Sequence, residues 1–119
     1  MSVALTEDAV VARRKTVTRR LGWMHAEAGQ RLTLCRKVRG RRPGEPLVRL
    51  AEVEIVSVRR EPLNTVTPED VRREGFDLPG PPRPADARWF VDFFSAHMRC
   101  EPDVWVTRIE WRYLTRGDE

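Results

Sequence analysis

Ala12-Arg13-Arg14-Lys15-Thr16-Val17-Thr18-Arg19-Arg20-Leu21 sets four arginines around one lysine, and its second half leans towards β-structure. Thr16, Val17 and Thr18 are β-branched, and such residues fit a pleated, half-buried strand. Lys15 stands out because 20 of the 22 basic residues are arginine, the second lysine being Lys37. A GC-rich coding bias accounts for most of that preference, which makes the position of the two lysines more informative. The like charges of Arg13, Arg14, Arg19 and Arg20 favour a lower lysine pKa, and the same cluster would suit a phosphate cradle.

Outward from this stretch, the chain has 119 residues and a mass of 13.9 kDa, enough for a single domain over 1–119. A two-lobed dinucleotide enzyme and a TIM barrel are excluded by length. Residues 1–60 carry 14 Lys or Arg against 6 Asp or Glu, a net of +8, whereas residues 61–119 carry 8 against 12, a net of −4. That asymmetry points to a half that faces a polyanion, with nucleic acid the leading candidate. Apolar runs such as Ala9-Val10-Val11-Ala12 and Trp89-Phe90-Val91 are too short to span a bilayer, so no membrane association is expected. Glu7 and Asp8 fall where a signal peptide would turn apolar, and a cytoplasmic location follows as the expectation. Cys35 and Cys100 are read as free thiols.

Turn and cap signals divide the chain. Thr6 is placed to cap a short helix to about Arg14, with Glu7 and Asp8 in its first turn. Strands are expected near 31–38 and 47–58. In the second, the apolar phase runs Ala51, Val53, Ile55 and then shifts to Val56 and Val58, the mark of a bulge or bend. Gly40-Arg41-Arg42-Pro43-Gly44-Glu45-Pro46 is the turn between them. Thr67-Pro68-Glu69-Asp70 opens a short helix that Gly75 is placed to end. Leu78-Pro79-Gly80-Pro81-Pro82-Arg83-Pro84 reads as a surface loop. A longer helix over about 85–97 presents Trp89, Phe90, Phe93, Phe94 and His97 or Met98 as a stripe. The last strand, over 104–114, puts Trp105, Ile109, Trp111 and Tyr113 on one face. These aromatic residues are read as core. Strands outnumber helices, which favours an α+β fold around a curved sheet or small open barrel.

Four ordered stretches resemble the ASCH family, a branch of the PUA-like β-barrels. That family's signature is a glycine, one residue, a lysine, four residues and an arginine. Lys15 and Arg20 have the spacing, and Arg13 stands at the glycine position. Gly29-Gln30-Arg31-Leu32-Thr33-Leu34 is similar to its glycine-then-strand segment, and Pro68-Glu69-Asp70-Val71-Arg72-Arg73-Glu74-Gly75-Phe76 resembles its short helix ending in Glu-Gly-Phe. Val106-Thr107-Arg108-Ile109-Glu110-Trp111 resembles its closing strand. The resemblance implies a PUA-like small mixed β-barrel of five or six strands with two or three short helices, and an RNA-binding module. In small amidohydrolase members that remove acyl groups from N4-acylated cytidine, a lysine, a threonine three residues on and a later glutamate do the chemistry. Lys15, Thr18 and Glu74 match those positions.

The expected function is therefore binding of RNA or a modified nucleotide in a basic cleft between the Lys15 segment and the helix ending at Glu74. Arg13, Arg14, Arg19 and Arg20 would hold phosphates, joined by Arg36, Lys37, Arg41 and Arg42 from the second basic run. Arg13 is expected to add a phosphate contact at the cleft mouth. Trp23 would stack on a base at the cleft edge or pack into the core. Lys15, Thr18 and Glu74 would read the base. Glu74 sits at a helix C-terminus, where an anion is disfavoured, so a cationic partner is expected, with Lys15 the choice. The alternatives are an amidohydrolase or ribonuclease using Lys15, Thr18 and Glu74, and a phage or mobile-element protein that binds a host factor. Hydrolysis would need Lys15 buried enough to act as a base. His97, Cys100, His25 and Cys35 have no standard zinc spacing, and neither metal nor other cofactor is expected.

Overall fold

A computed structural model describes residues 1–76 and 86–115. The proline-rich stretch over 78–84 lies outside the described residues. Four strands, β1 (Val17–Arg20), β2 (Arg31–Cys35), β3 (Arg49–Pro62) and β4 (Trp105–Tyr113), form one sheet in the order β1-β4-β3-β2. All three pairings are antiparallel, and the sheet curls into a half-barrel with short helices packed on it, an α+β fold. The expected five or six mixed strands are thus four antiparallel ones among the described residues. The parallel element is a single bridge, Ser2 to Cys35.

The phase shift in the second apolar run is a real irregularity. The β3–β4 register slips between Ile55 and Ser57, leaving Val56 exposed while Ile55 stays against Trp111. β3 also continues past Val58 through Arg59-Arg60-Glu61-Pro62, because those polar residues pair with β4 at the sheet's far end. β2 stops at Cys35, short of the expected Val38.

Three α-helices accompany the sheet: α1 (Glu7–Val11), α2 (Pro68–Arg73) and α3 (Ala87–Met98). Thr6 closes a 3-10 turn ahead of α1 and makes no side-chain cap. Thr67 does cap α2, its hydroxyl accepting the Asp70 amide at 3.2 Å, with Pro68 in the first helical position. Asp86 caps α3 by accepting the Trp89 amide at 2.6 Å.

The sheet separates two apolar clusters. One joins Val10 of α1 to Leu32, Leu34, Val53, Ile55, Ile109 and Trp111. The other packs Val71 of α2 and Phe90, Val91 and Phe94 of α3 on Leu63, Val66 and Val106. Each fully buried aliphatic side chain contributes about 1.5–3 kcal/mol, so both clusters anchor the short helices that propensity alone would not hold. β1 is an edge strand of this sheet. Its Thr18 pairs with Ile109 on the first face and its Arg19 with Arg108 on the second.

Candidate functional site

Lys15 lies in the connection between α1 and β1, and its backbone is clamped on every side. Its amide donates to Ala9 O at 3.2 Å, and its carbonyl accepts from Trp111 Nε1 at 3.0 Å and Tyr113 OH at 2.5 Å. Next to it, Thr16 donates its amide to Arg73 O at 2.8 Å, tying the connection to α2. The turn into this segment requires Arg13 at φ +60, the left-handed region. That is the physical reason a glycine suits the position in the resembled signature.

The Lys15 side chain is 3% exposed and points to the end of α2. Its ammonium donates to Glu74 O at 2.7 Å and to Glu74 Oε1 at 3.2 Å. One lysine thus satisfies both the helix-terminal carbonyl and the carboxylate that the helix dipole disfavours there. The partner inferred from the helix-end position is present. Gly75 makes the close approach possible. Its φ is +104, and a Cβ there would lie 2.8 Å from the Ala9 Cβ, so α2 ends directly against α1.

Glu74 begins a chain of buried ions. Its Oε2 accepts from Arg19 Nη1 at 3.1 Å, Arg19 Nη2 donates to Asp70 Oδ2 at 2.5 Å, and Asp70 takes two further bonds from Arg108, at 2.7 and 3.1 Å. Burial pushes the Lys15 ammonium below the ordinary lysine range. Glu74 pulls it back up, and Arg20 and Arg19 push it down again. Burial works to raise the Asp70 carboxyl, but the bonds from Arg108 and Arg19 overcome it and hold the group well below the carboxylate range. Arg20, half-buried, has a guanidinium shifted down by burial and supported by Glu74. Its Nε donates to Thr18 Oγ1 at 3.2 Å and its Nη2 to Ser2 O at 2.7 Å.

These groups open onto a cavity of about 400 Å³. Its polar side is Lys15, Thr18, Arg19, Arg20 and Glu74. Its apolar side is Phe76, Phe90, Phe93 and Phe94, with His97 and Met98 from the end of α3 and the segment 2–6 completing the lining. Trp89, Phe93 and His97 stack in succession along α3, at centroid distances of 5.2 and 5.9 Å. The aromatic stripe is therefore only partly core. Phe90 and Phe94 are buried in the second cluster yet also face the cavity, and Phe93 and His97 face it from the partly exposed side. Trp111 is buried, whereas Trp105 is 56% exposed.

Of the expected site residues, Lys15, Thr18, Arg19, Arg20 and Glu74 meet at one place, and the remainder do not join them. Arg13 lies over the Tyr113 ring, 5.5 Å from its centroid, and is not among the residues lining the cavity. Arg14 is exposed. Trp23 is 38% exposed in the turn after β1, with φ +59, and belongs to neither apolar cluster nor the cavity lining. Arg36 is held by Glu7 at 2.8 Å, Lys37 by Glu45 at 3.5 Å, and Arg41 Nε donates to Val38 O at 3.1 Å; Arg42 is exposed. Sequence reasoning missed Asp70 and Arg108, whose ion pair needs the α2–β4 contact, and it missed the cavity-facing role of the phenylalanines. Among the described residues, no group of three or more His, Cys, Asp or Glu is placed to hold a metal ion, and no helix is long and apolar enough to cross a membrane.

No family model matches the chain, and no curated protein matches it. Solved structures do. A protein from Enterococcus faecalis assigned to the family model DUF984 superposes with a TM-score of 0.60 at 20% identity, over 92% of this chain and 70% of that one. An ASCH domain from Lactobacillus crispatus gives 0.58 at 15% identity, with the same coverage of both chains. The resemblance carried by the sequence motifs thus extends to the fold, which is that of an ASCH domain.

Proposed function

We propose that the chain binds an amino-bearing nucleobase, of RNA or of a modified nucleotide, in the cavity between the Lys15 segment and α2. The observation that carries this reading is the meeting of a buried donor–acceptor pair, Lys15 and Glu74, with Phe90, Phe93 and Phe94 around one cavity of about 400 Å³. A base has two apolar faces and a polar edge. The phenylalanines supply the surface for the faces. Glu74 has acceptor capacity left on its carboxylate, Lys15 has a third N–H, and the Thr18 hydroxyl can donate while accepting from Arg20. An exocyclic amine beside a ring acceptor, as in cytosine, fits that set. A carbonyl in the amine's place would meet the Glu74 carboxylate with no proton between them, a mismatch of roughly 1–3 kcal/mol.

Isothermal titration calorimetry with cytidine, uridine, N4-acetylcytidine and a short single-stranded RNA tests the reading. Cytidine or its N4-acyl derivative should bind at least tenfold more tightly than uridine, and Lys15→Met should abolish the difference. Equal binding of cytidine and uridine, or no binding of any of the four, would refute it.

One observation favours a second reading, hydrolysis of the acyl group of an N4-acylated cytidine. A lysine driven by burial towards its neutral form can take a proton from Thr18 or from water, and Arg20 can support the developing oxyanion. Water would add across the amide, releasing the free carboxylic acid and cytidine. Turnover would then rise with pH as the Lys15 ammonium loses its proton below the ordinary lysine range. It would disappear in both Lys15→Ala and Glu74→Gln. Failure to release acetate from N4-acetylcytidine at any pH between 6 and 10 rules this second reading out.

A further inference from the structure

Three cations, Lys15, Arg19 and Arg20, line the cavity against one carboxylate, Glu74. Lys15 is matched by Glu74, and Arg19 by Glu74 and Asp70, at 2.5–3.2 Å. Arg20 has no carboxylate within ion-pair distance among the described residues. Two of its nitrogens are occupied by neutral oxygens, Thr18 Oγ1 and Ser2 O, and its Nη1 has no partner among those residues. Arg19, 4% exposed, lines the same cavity and adds a second guanidinium charge behind its wall, with its Nε buried beneath the surface without an acceptor. A half-buried guanidinium with an open donor facing a cavity favours an anion there, which would accept from Arg20 Nη1.

The surface around the cavity differs. A nucleic-acid strand is held by a row of free cations along its phosphates. Of the surface cations expected to form such a row, Arg13 is laid over Tyr113, Arg36 is paired with Glu7 and Lys37 with Glu45, while Arg42 is exposed. Arg20, by contrast, sits inside the cavity, beside the pair that would read a base.

Resting on the base-binding reading above, we propose that the occupant is a free nucleoside monophosphate, whose terminal phosphate is held by Arg20, with the charge of Arg19 behind it, while its base lies against the α3 phenylalanines. A terminal monoester brings up to two negative charges and three unshared oxygens to these donors, whereas a diester within a strand brings one charge and two. The monophosphate is therefore the better complement to a guanidinium that already spends two of its nitrogens on neutral acceptors.

Calorimetry on the full chain compares cytidine, cytidine 5′-monophosphate, inorganic phosphate and a 5′-hydroxyl pentacytidylate, in wild type, Arg20→Met and Arg20→Lys. Charged hydrogen bonds of this kind predict that the monophosphate binds about 10–100-fold more tightly than cytidine in wild type. The preference should collapse to within about threefold in Arg20→Met and survive in part in Arg20→Lys. In wild type it should also shrink with added salt while cytidine binding holds, a reading that needs no variant. Equal affinity for cytidine and its monophosphate overturns the inference and leaves base binding standing. So does a pentanucleotide that binds more tightly than the monophosphate, because the strand would then be the ligand. Binding of inorganic phosphate as tight as that of the monophosphate also overturns it, since the base would contribute nothing. If no nucleoside or nucleotide binds, the base-binding reading falls and this inference with it.

Discussion

Replacing Asp70 by Asn removes the charge that joins two buried arginines. Asp70 Oδ2 accepts from Arg19 at 2.5 Å and from Arg108 at 2.7 Å, and Oδ1 accepts from Arg108 at 3.1 Å. Arg19 and Arg108 are each 4% exposed. Asn keeps one acceptor oxygen but turns an N–H2 towards guanidinium donors, so both arginines lose charge compensation and one loses a bond outright. Breaking a buried ion pair from one side costs about 3–5 kcal/mol. Glu61 at 3.7 Å from Arg19 and Glu110 at 3.5 Å from Arg108 retain part of the compensation, which brings the expected loss to about 2–4 kcal/mol. For a domain of this size that lowers Tm by roughly 10–20 °C. The pH dependence is a sharper test. The folded-state value of Asp70 is depressed below its ordinary 3.8, so its contribution is complete above that value and is lost as pH falls towards the folded-state value. Each pH unit below 3.8 removes about 1.4 kcal/mol of it. Urea denaturation of wild type and Asp70→Asn at pH 7, 5 and 3 should therefore show a stability gap that is constant between pH 7 and 5 and smaller by about 1 kcal/mol at pH 3. Contributions of other carboxylates are common to both proteins and cancel. A gap below about 1 kcal/mol at neutral pH, or one that does not narrow at pH 3, would refute the account of the buried ion chain.

Gly75→Ala should destabilise by about 2–5 kcal/mol, combining a strained φ with a contact to the Ala9 Cβ that forces α1 and α2 apart; thermal unfolding monitored by circular dichroism measures it. Arg13→Gly relieves about 1–2 kcal/mol of left-handed strain, loses about 0.5–1 kcal/mol of interaction with Tyr113, and adds unfolded-chain entropy. Its stability should stay within about 1 kcal/mol of wild type, and nucleotide affinity should not change, as calorimetry will report. Phe94→Ala opens the cavity wall and the second apolar cluster together. It should cost about 3–5 kcal/mol in urea titrations as well as weakening base binding, whereas a Phe93→Ala loss should fall more on binding, because Phe93 is only half-buried.

The parts of this fold that rest on local chemistry were legible in the sequence. Thr67 and Pro68 state the start of α2, Gly75 its end, and the phase change after Ile55 states the bulge, because each is decided within a few residues. The Lys15–Glu74 contact was reachable by a longer route: a carboxylate at a helix C-terminus needs compensation, and the chain has few lysines to offer. Asp70 gave no such signal. At position three of a capped helix it is where an ordinary first-turn acid belongs, and nothing local distinguishes it from Glu69, which stays exposed. What separates the two is which face of α2 meets β4, a long-range fact. The phenylalanines failed differently. Burial and ligand contact both call for apolar side chains at helical spacing, so Phe90, Phe93 and Phe94 carry no mark of a cavity until the wall opposite them is known.

The same geometry explains why so much charge is buried in so small a domain. A chain of ions from Lys15 through Glu74, Arg19 and Asp70 to Arg108 adds little net stability over an apolar substitute, because desolvation offsets most of the attraction. What it does supply is position. Glu74 is held by three bonds from two cations, and Lys15 by two bonds at its ammonium and two at its carbonyl, so neither group needs to reorganise when a ligand arrives. Arg20 departs from this pattern as the cavity cation without a carboxylate partner among the described residues. If the network existed only to hold α2 on the sheet, Arg20→Met would lose stability with its bonds to Thr18 and Ser2 while leaving ligand preference untouched. If the network is the frame of a binding site, Arg20→Met shows the same change in stability and also loses the phosphate preference. The two outcomes share a stability and differ in affinity, so measuring both on one variant separates scaffold from site.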